Sequence, residues 1–179
     1  MSPARVSFAL SVIDCAYNRQ SWHGTNLRGS LRGLSVTDVA RRPKRGSHNI
    51  WELVVHCAYW KYVVRRRLTG GKRGSFPLAG SNFFERPVRG ASRAELTRQW
   101  KDDLALLDEM HRQLRDVVAA LRARPAEAAS EASDWRRRES KLREAGSARR
   151  PTPLWLVQGI AAHDLYHAGQ IQLLKKLIK

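Results

Sequence analysis

Cysteine is scarce in this sequence: there are two, Cys15 and Cys57, each inside an apolar helical pattern. That excludes a disulfide-stapled scaffold; the pair reads as small core residues in a reducing compartment, with the cytoplasm as the expected location. Long apolar runs are missing too. No stretch approaches the roughly 20 residues needed to cross a bilayer. The start, Met1 to Arg5 followed by Val6 to Leu10, is too short and too quickly interrupted for a signal peptide. No segment shows the alternation of a strand, so the fold class is all-α. Acids are also few, 16 against 33 lysines and arginines, for a formal charge of +17.

That charge invites a nucleic-acid reading, because lysine and arginine contact phosphate. Ten of the basic residues lie between Arg41 and Arg73 with one acid, Glu52, and another basic stretch runs from Arg136 to Arg150. Yet Arg65 to Arg67, and Lys175 with Lys176, fall in the last turns of predicted helices, where cations complement the macrodipole. The arginines therefore read mainly as a solvated face, and dedicated nucleic-acid binding is not expected.

What is present is ordinary for one globular domain: 179 residues, 42% hydrophobic and 27% charged. The spacing predicts a first helix over about Val6 to Arg19, with Phe8, Val12, Cys15 and Ala16 facing inward. Short helical turns follow to about Leu31 and after Thr37-Asp38, stopping before Pro43. A second long helix is capped by Ser47 or Asn49 and ends at Gly70-Gly71. Residues 70–91 read as a long ordered loop. The third long helix starts at Ser92 with a Glu95 capping box and reaches about Arg122, its seam running Trp100, Leu107, Leu114, Leu121 with Leu104, Met110 and Val118. Residues 124–151 form a polar excursion, and Pro151 and Pro153 open the last helix. The architecture predicted is four helices around one core, with long crossover loops on either side of the third.

Chemistry concentrates in the last helix. His163 and His167 lie one turn apart on a face with Leu156, Ile160, Ile171, Leu174 and Ile178, while Asp164, Gln172, Lys175 and Lys176 fall opposite. Buried imidazoles need partners for both ring nitrogens, and an unmet one costs about 1–3 kcal/mol. A shared metal ion answers that need for two at once. His56 joins them from the second helix, where it shares a stripe with Ile50, Leu53, Cys57, Trp60 and Val64. Three neutral imidazoles suit zinc or nickel, with iron, manganese or copper as alternatives, and leave a position open for water or substrate. For each histidine alone the plainer reading is a hydrogen-bonded core residue. Gln170, one turn after His167, can face the open side and is the candidate catalytic residue. Tyr166 is assigned to packing, and Asp164 to solvent or a neighbouring helix. His111 reads as core or as support to the site, His48 as part of the approach to the second helix or a pocket mouth, and His23 beside Trp22 as cavity-lining or packing.

The segments Ile50-Trp51-Glu52-Leu53-Val54-Val55-His56 and His163-Asp164-Leu165-Tyr166-His167-Ala168-Gly169-Gln170-Ile171 resemble the DinB/YfiT-like superfamily of metalloenzymes, as do Trp22-His23-Gly24 and the Pro43 to His48 approach. The resemblance covers most of residues 5–72 and 92–179. It implies a four-helix bundle of up-down-down-up order, often a homodimer, with a divalent metal on His56, His163 and His167. It also implies a small-molecule substrate and a low-molecular-weight thiol such as bacillithiol, mycothiol or glutathione, in a transferase or isomerase. Thiol chemistry rests on the resemblance alone; water at the open position would make a hydrolase. The competing expectation is a non-catalytic stress-response or nucleic-acid-binding helical module.

Overall fold

Side-chain caps decide where the helices begin. In the computed structural model, which describes residues 1–44, 46–121 and 152–178, six helices form and no strand is found among the described residues. The long ones are α1 (Pro3–Tyr17), α4 (Ile50–Thr69), α5 (Arg93–Ala119) and α6 (Pro153–Leu177), with α2 (Leu27–Ser30) and α3 (Val36–Ala40) as short turns between. Asn49 caps α4 by accepting from the Glu52 amide at 2.8 Å, and Gly70, at φ 71°, closes it in the left-handed conformation that glycine adopts without strain. Ser92 and Glu95 form the predicted capping box of α5, and Thr152 caps α6 ahead of Pro153. Ser35, two residues before the expected Thr37, caps α3 in a box with Asp38.

The first helix differs from its predicted face. It starts at Pro3, because Ser2 is a cap and proline fits the first turn, and it buries Ala9, Ile13, Ala16 and Tyr17 while Phe8 is 58% exposed. Polar pairing accounts for the rotation. Asp14 takes Arg115 of α5 at 2.7 Å, and the Tyr17 hydroxyl bonds Asp108 of α5. The α5 seam buries Leu107, Met110, Leu114 and Val118, with Trp100, Leu104 and Leu121 half-buried. The excursion expected over 124–151 lies outside the described residues.

Around the long helices, α1 packs on α5 and α6, and α4 on α5 and α6. Two apolar clusters result. One gathers α4, the short turns, Phe84 of the 70–91 loop, Ile171 of α6 and Ile178 just past its end. The other gathers Ala9 and Ile13 of α1, Leu114 and Val118 of α5, and Leu156, Val157 and Ile160 of α6 around Val64. On α6 the two histidines sit between the residues that feed these two clusters, while His56 lies within the stretch of α4 that feeds the first. No helix among the described residues is long and apolar enough to cross a membrane.

Candidate metal centre

His56 projects from the middle of α4, and His163 and His167 from the middle of α6; both His56 and His167 are buried and His163 is half-buried. The nitrogens meet. His163 Nε2 lies 3.0 Å from His56 Nε2 and 3.2 Å from His167 Nε2. One ligand atom from each of the three falls within 4.8 Å of the others, a set that could hold a metal ion.

The far side of two rings settles which nitrogen carries hydrogen. His56 Nδ1 is 2.9 Å from the backbone carbonyl of Asn82, which can only accept, so Nδ1 is protonated and Nε2 is a bare lone pair. His167 Nδ1 donates in the same way to Gln170 Oε1 at 2.6 Å. Two lone pairs thus point at His163 Nε2, while the buried Nδ1 of His163 has no hydrogen-bond partner. One shared proton on His163 cannot serve all three rings well, whereas a cation among the three Nε2 atoms would. The spacing fits: zinc–nitrogen bonds of about 2.0–2.1 Å in a tetrahedron set nitrogens roughly 3.3 Å apart.

Electrostatics keep the lone pairs free. Burial pushes the His163 imidazolium down to about 3, helped by His167, His56 and Lys61. Burial likewise lowers His167 to about 4, against the opposing bond to Gln170, and lowers His56 against the opposing Asn82 carbonyl. Neutral imidazoles are the form that binds metal. A second group, Cys57, His163 and Asp164, also falls within 4.8 Å, but it is a poor cation site. Lys61 already occupies Asp164, and burial raises the Cys57 thiol well above its ordinary value.

The loop between α4 and α5 supplies the supports that sequence reasoning missed. Asn82 sits at φ 65°, a conformation asparagine tolerates better than most residues, and besides holding His56 it accepts the Trp60 indole N–H at 3.0 Å. Phe83 stacks on His56 at 4.1 Å and on His48 at 3.8 Å. The Asn-Phe-Phe run was visible, but nothing in a loop's spacing says which helix it will cover. Of the two settings expected for Asp164, solvent or a neighbouring helix, the second holds: it is buried in an ion pair with Lys61 of α4, each side chain 1% exposed. Val157, Ala161 and Ala168 are buried beside it, so α6 is enclosed on two sides rather than one. A lysine embedded in the apolar run of α4 was the available signal.

Gln170 holds His167 and donates its amide to the Tyr166 hydroxyl at 3.0 Å. Tyr166 is exposed, and its ring packs edge-on against His167 at 5.0 Å. His48 lies at the cavity wall and bonds Glu52 at 2.9 Å. Burial alone would raise the Glu52 carboxyl, yet bonds from Arg42, His48 and the Arg86 amide hold it below its ordinary value. His111 is a core residue stacked on Tyr17, with its Nε2 3.4 Å from the Asp14 carboxylate and its contacts remote from the three histidines. His23 and Trp22 are exposed and neither packs nor lines the cavity.

Beside the three histidines opens a cavity of about 750 Å³, walled mostly by apolar side chains of α4 and α6, with Asn82 and Phe83 from the loop. The sequence profile of the DinB superfamily matches residues 19–171, a span that contains all three histidines. The chain belongs to that superfamily. No curated protein and no solved structure matches it. For this DinB-superfamily chain, family membership and a histidine group able to hold a metal stand together on independent grounds.

Proposed function

We propose that His56, His163 and His167 bind one divalent transition metal through their Nε2 atoms, zinc or nickel before iron, manganese or copper, and that the protein is a metal-dependent enzyme. The observation that carries this is the convergence of three Nε2 atoms, two of them bare by virtue of their Nδ1 partners. When bound, such an ion supplies a Lewis-acidic position that lowers the pKa of a thiol or of water. The favoured reaction is S-transfer or isomerisation with a low-molecular-weight thiol, on the strength of family resemblance; hydrolysis is the alternative.

The chain's own residues do the rest. Asn82 and Gln170 fix the tautomers and ring planes of His56 and His167, a role such supports commonly play for metal-binding histidines. Gln170 is therefore assigned to positioning rather than to direct contact with reacting atoms. The apolar walls exclude water and hold the substrate against the open side of the three imidazoles. The up-down-down-up bundle and a cytoplasmic location belong to the same reading. A homodimer does too, supported by Trp155, Tyr166, Leu173 and Leu177, large apolar residues exposed along one side of α6. A nucleic-acid-binding module draws less support, since Arg42, Arg86 and Arg115 are spent on Glu52, Asp103 and Asp14.

Elemental analysis of untagged protein tests the metal, with one ion per chain expected and His163→Ala reducing it. Thiol consumption with an electrophile should stop with chelator and return with metal. Stoichiometric metal without turnover on any thiol or ester would retain the site and remove the enzyme.

A further inference from the structure

The cavity differs in character on the two sides of the histidines. The C-terminal part of α4 meets the N-terminal part of α6, since Val64 clusters with Leu156 and Ile160. Along α4, His56, Trp60, Val64 and Arg67 recur at steps of four, four and three, which places them on one face towards the cavity. Opposite them stand Leu156 and Ile160. This arm is apolar from the histidines outward until it reaches Arg67. The other polar wall residues, Asn82, Tyr166 and Gln170 among them, belong with the histidines through the hydrogen bonds already described.

Arg67 lies eleven residues beyond His56, about 16 Å along the helix axis at 1.5 Å per residue. Arg67 is exposed at the rim of this cavity, which it lines. Its neighbours are occupied: Arg65 lies over the Tyr62 ring and Arg66 bonds the Gly71 carbonyl. Arg67 has no carboxylate, carbonyl or ring partner among the described residues. A cation at the far end of an apolar arm selects a ligand with an apolar body and an anionic end. A peptide-like thiol laid there would leave its amides without partners, at a cost of roughly 1–3 kcal/mol each.

We propose that this arm takes an apolar anion as the protein's second substrate, its hydrocarbon or aromatic body between Trp60, Val64, Leu156 and Ile160, and its carboxylate on Arg67. The assignment rests on the proposed function in placing the reacting end at the histidines and in taking a thiol as the first substrate.

Binding of straight-chain medium-length carboxylates and of the alcohols of equal length, measured by calorimetry on the full chain with and without zinc, tests it. The carboxylate should bind about 2- to 5-fold more tightly than the alcohol, as expected for an ion pair on an exposed arginine. Arg67→Gln should abolish that preference and leave alcohol binding unchanged, while Arg67→Lys should keep much of it. Equal affinity for acid and alcohol overturns the proposal, and so does a preference that survives in Arg67→Gln, which would put the carboxylate at the histidines. Zinc stoichiometry measured on the same samples separates the two readings. Protein that takes up no zinc yet keeps the Arg67-dependent preference would sink the metal centre and uphold the apolar anion.

Discussion

Replacing Lys61 with Met should be among the most damaging single changes in the core. The lysine and Asp164 are each 1% exposed, and the ammonium also lies 4.7 Å from the centre of the Tyr17 ring. Methionine keeps most of the aliphatic volume and abandons Asp164 in an apolar setting. Removing one partner of such a pair costs about 3–5 kcal/mol. For a chain of this size that corresponds to a fall in Tm of roughly 6 to 20 °C. The pH dependence gives a sharper check. Burial already holds the Asp164 carboxyl above its ordinary value, and Lys61 opposes that rise. Without Lys61 the folded-state pKa climbs further. A folded pKa above the unfolded one contributes stability below the unfolded pKa, and that contribution is lost as pH rises through the folded value. The penalty of Lys61→Met relative to the parent should thus be greatest at neutral pH and shrink as pH falls. Urea unfolding followed by tryptophan fluorescence, on both proteins from pH 7.5 to 5, measures it. The double change Lys61→Met with Asp164→Leu should recover much of the loss, since apolar replacement of a buried pair is often neutral. A single-variant cost under about 1 kcal/mol, well short of the loss expected for a broken buried pair, would refute the reasoning. A cost that does not vary with pH would refute it equally.

Three further outcomes follow from the site. His167→Ala should lower metal stoichiometry while far-UV circular dichroism stays helical, because one of three imidazoles is lost from an otherwise intact core. Gln170→Leu keeps all three imidazoles but removes the acceptor on His167 Nδ1, so metal affinity should drop about 10–100-fold in chelator competition; unchanged affinity would return Gln170 to simple cavity lining. Acidification should destabilise the metal-free protein. His111 and His163 are pushed down to about 3 and His167 to about 4, burial being the first cause in each, so the unfolded chain takes up protons first. Their contribution is fully present above the unfolded value near 6.5 and is lost as pH falls below it, by up to about 1.4 kcal/mol per pH unit for each histidine. A flat stability profile between pH 7.5 and 5 would contradict their burial as neutral rings.

Local rules were enough to read the helices from the sequence. Capping residues such as Asn49 and Ser92, and the glycine after Thr69, act within one turn of chain, so their meaning survives without any tertiary context. The 3.6-residue period likewise put His163 and His167 on one face and His56 on the stripe of another helix. What periodicity could not supply was rotation and partnership. Asp164, opposite the histidine face, could meet solvent or a neighbouring helix; only the packing of α6 on α4 brings it to Lys61. Phe8 looked buried because it is large and apolar, but the bonds from Asp14 to Arg115 and from Tyr17 to Asp108 turn α1 the other way. Asn82 belongs to a loop, where spacing carries no directional information, and its carbonyl becomes the partner of His56 only after 26 residues of chain have folded back. The sequence alone named three imidazoles on helix faces. Tertiary structure decided that their Nε2 atoms meet, because a lone pair's direction depends on what holds the other side of the ring.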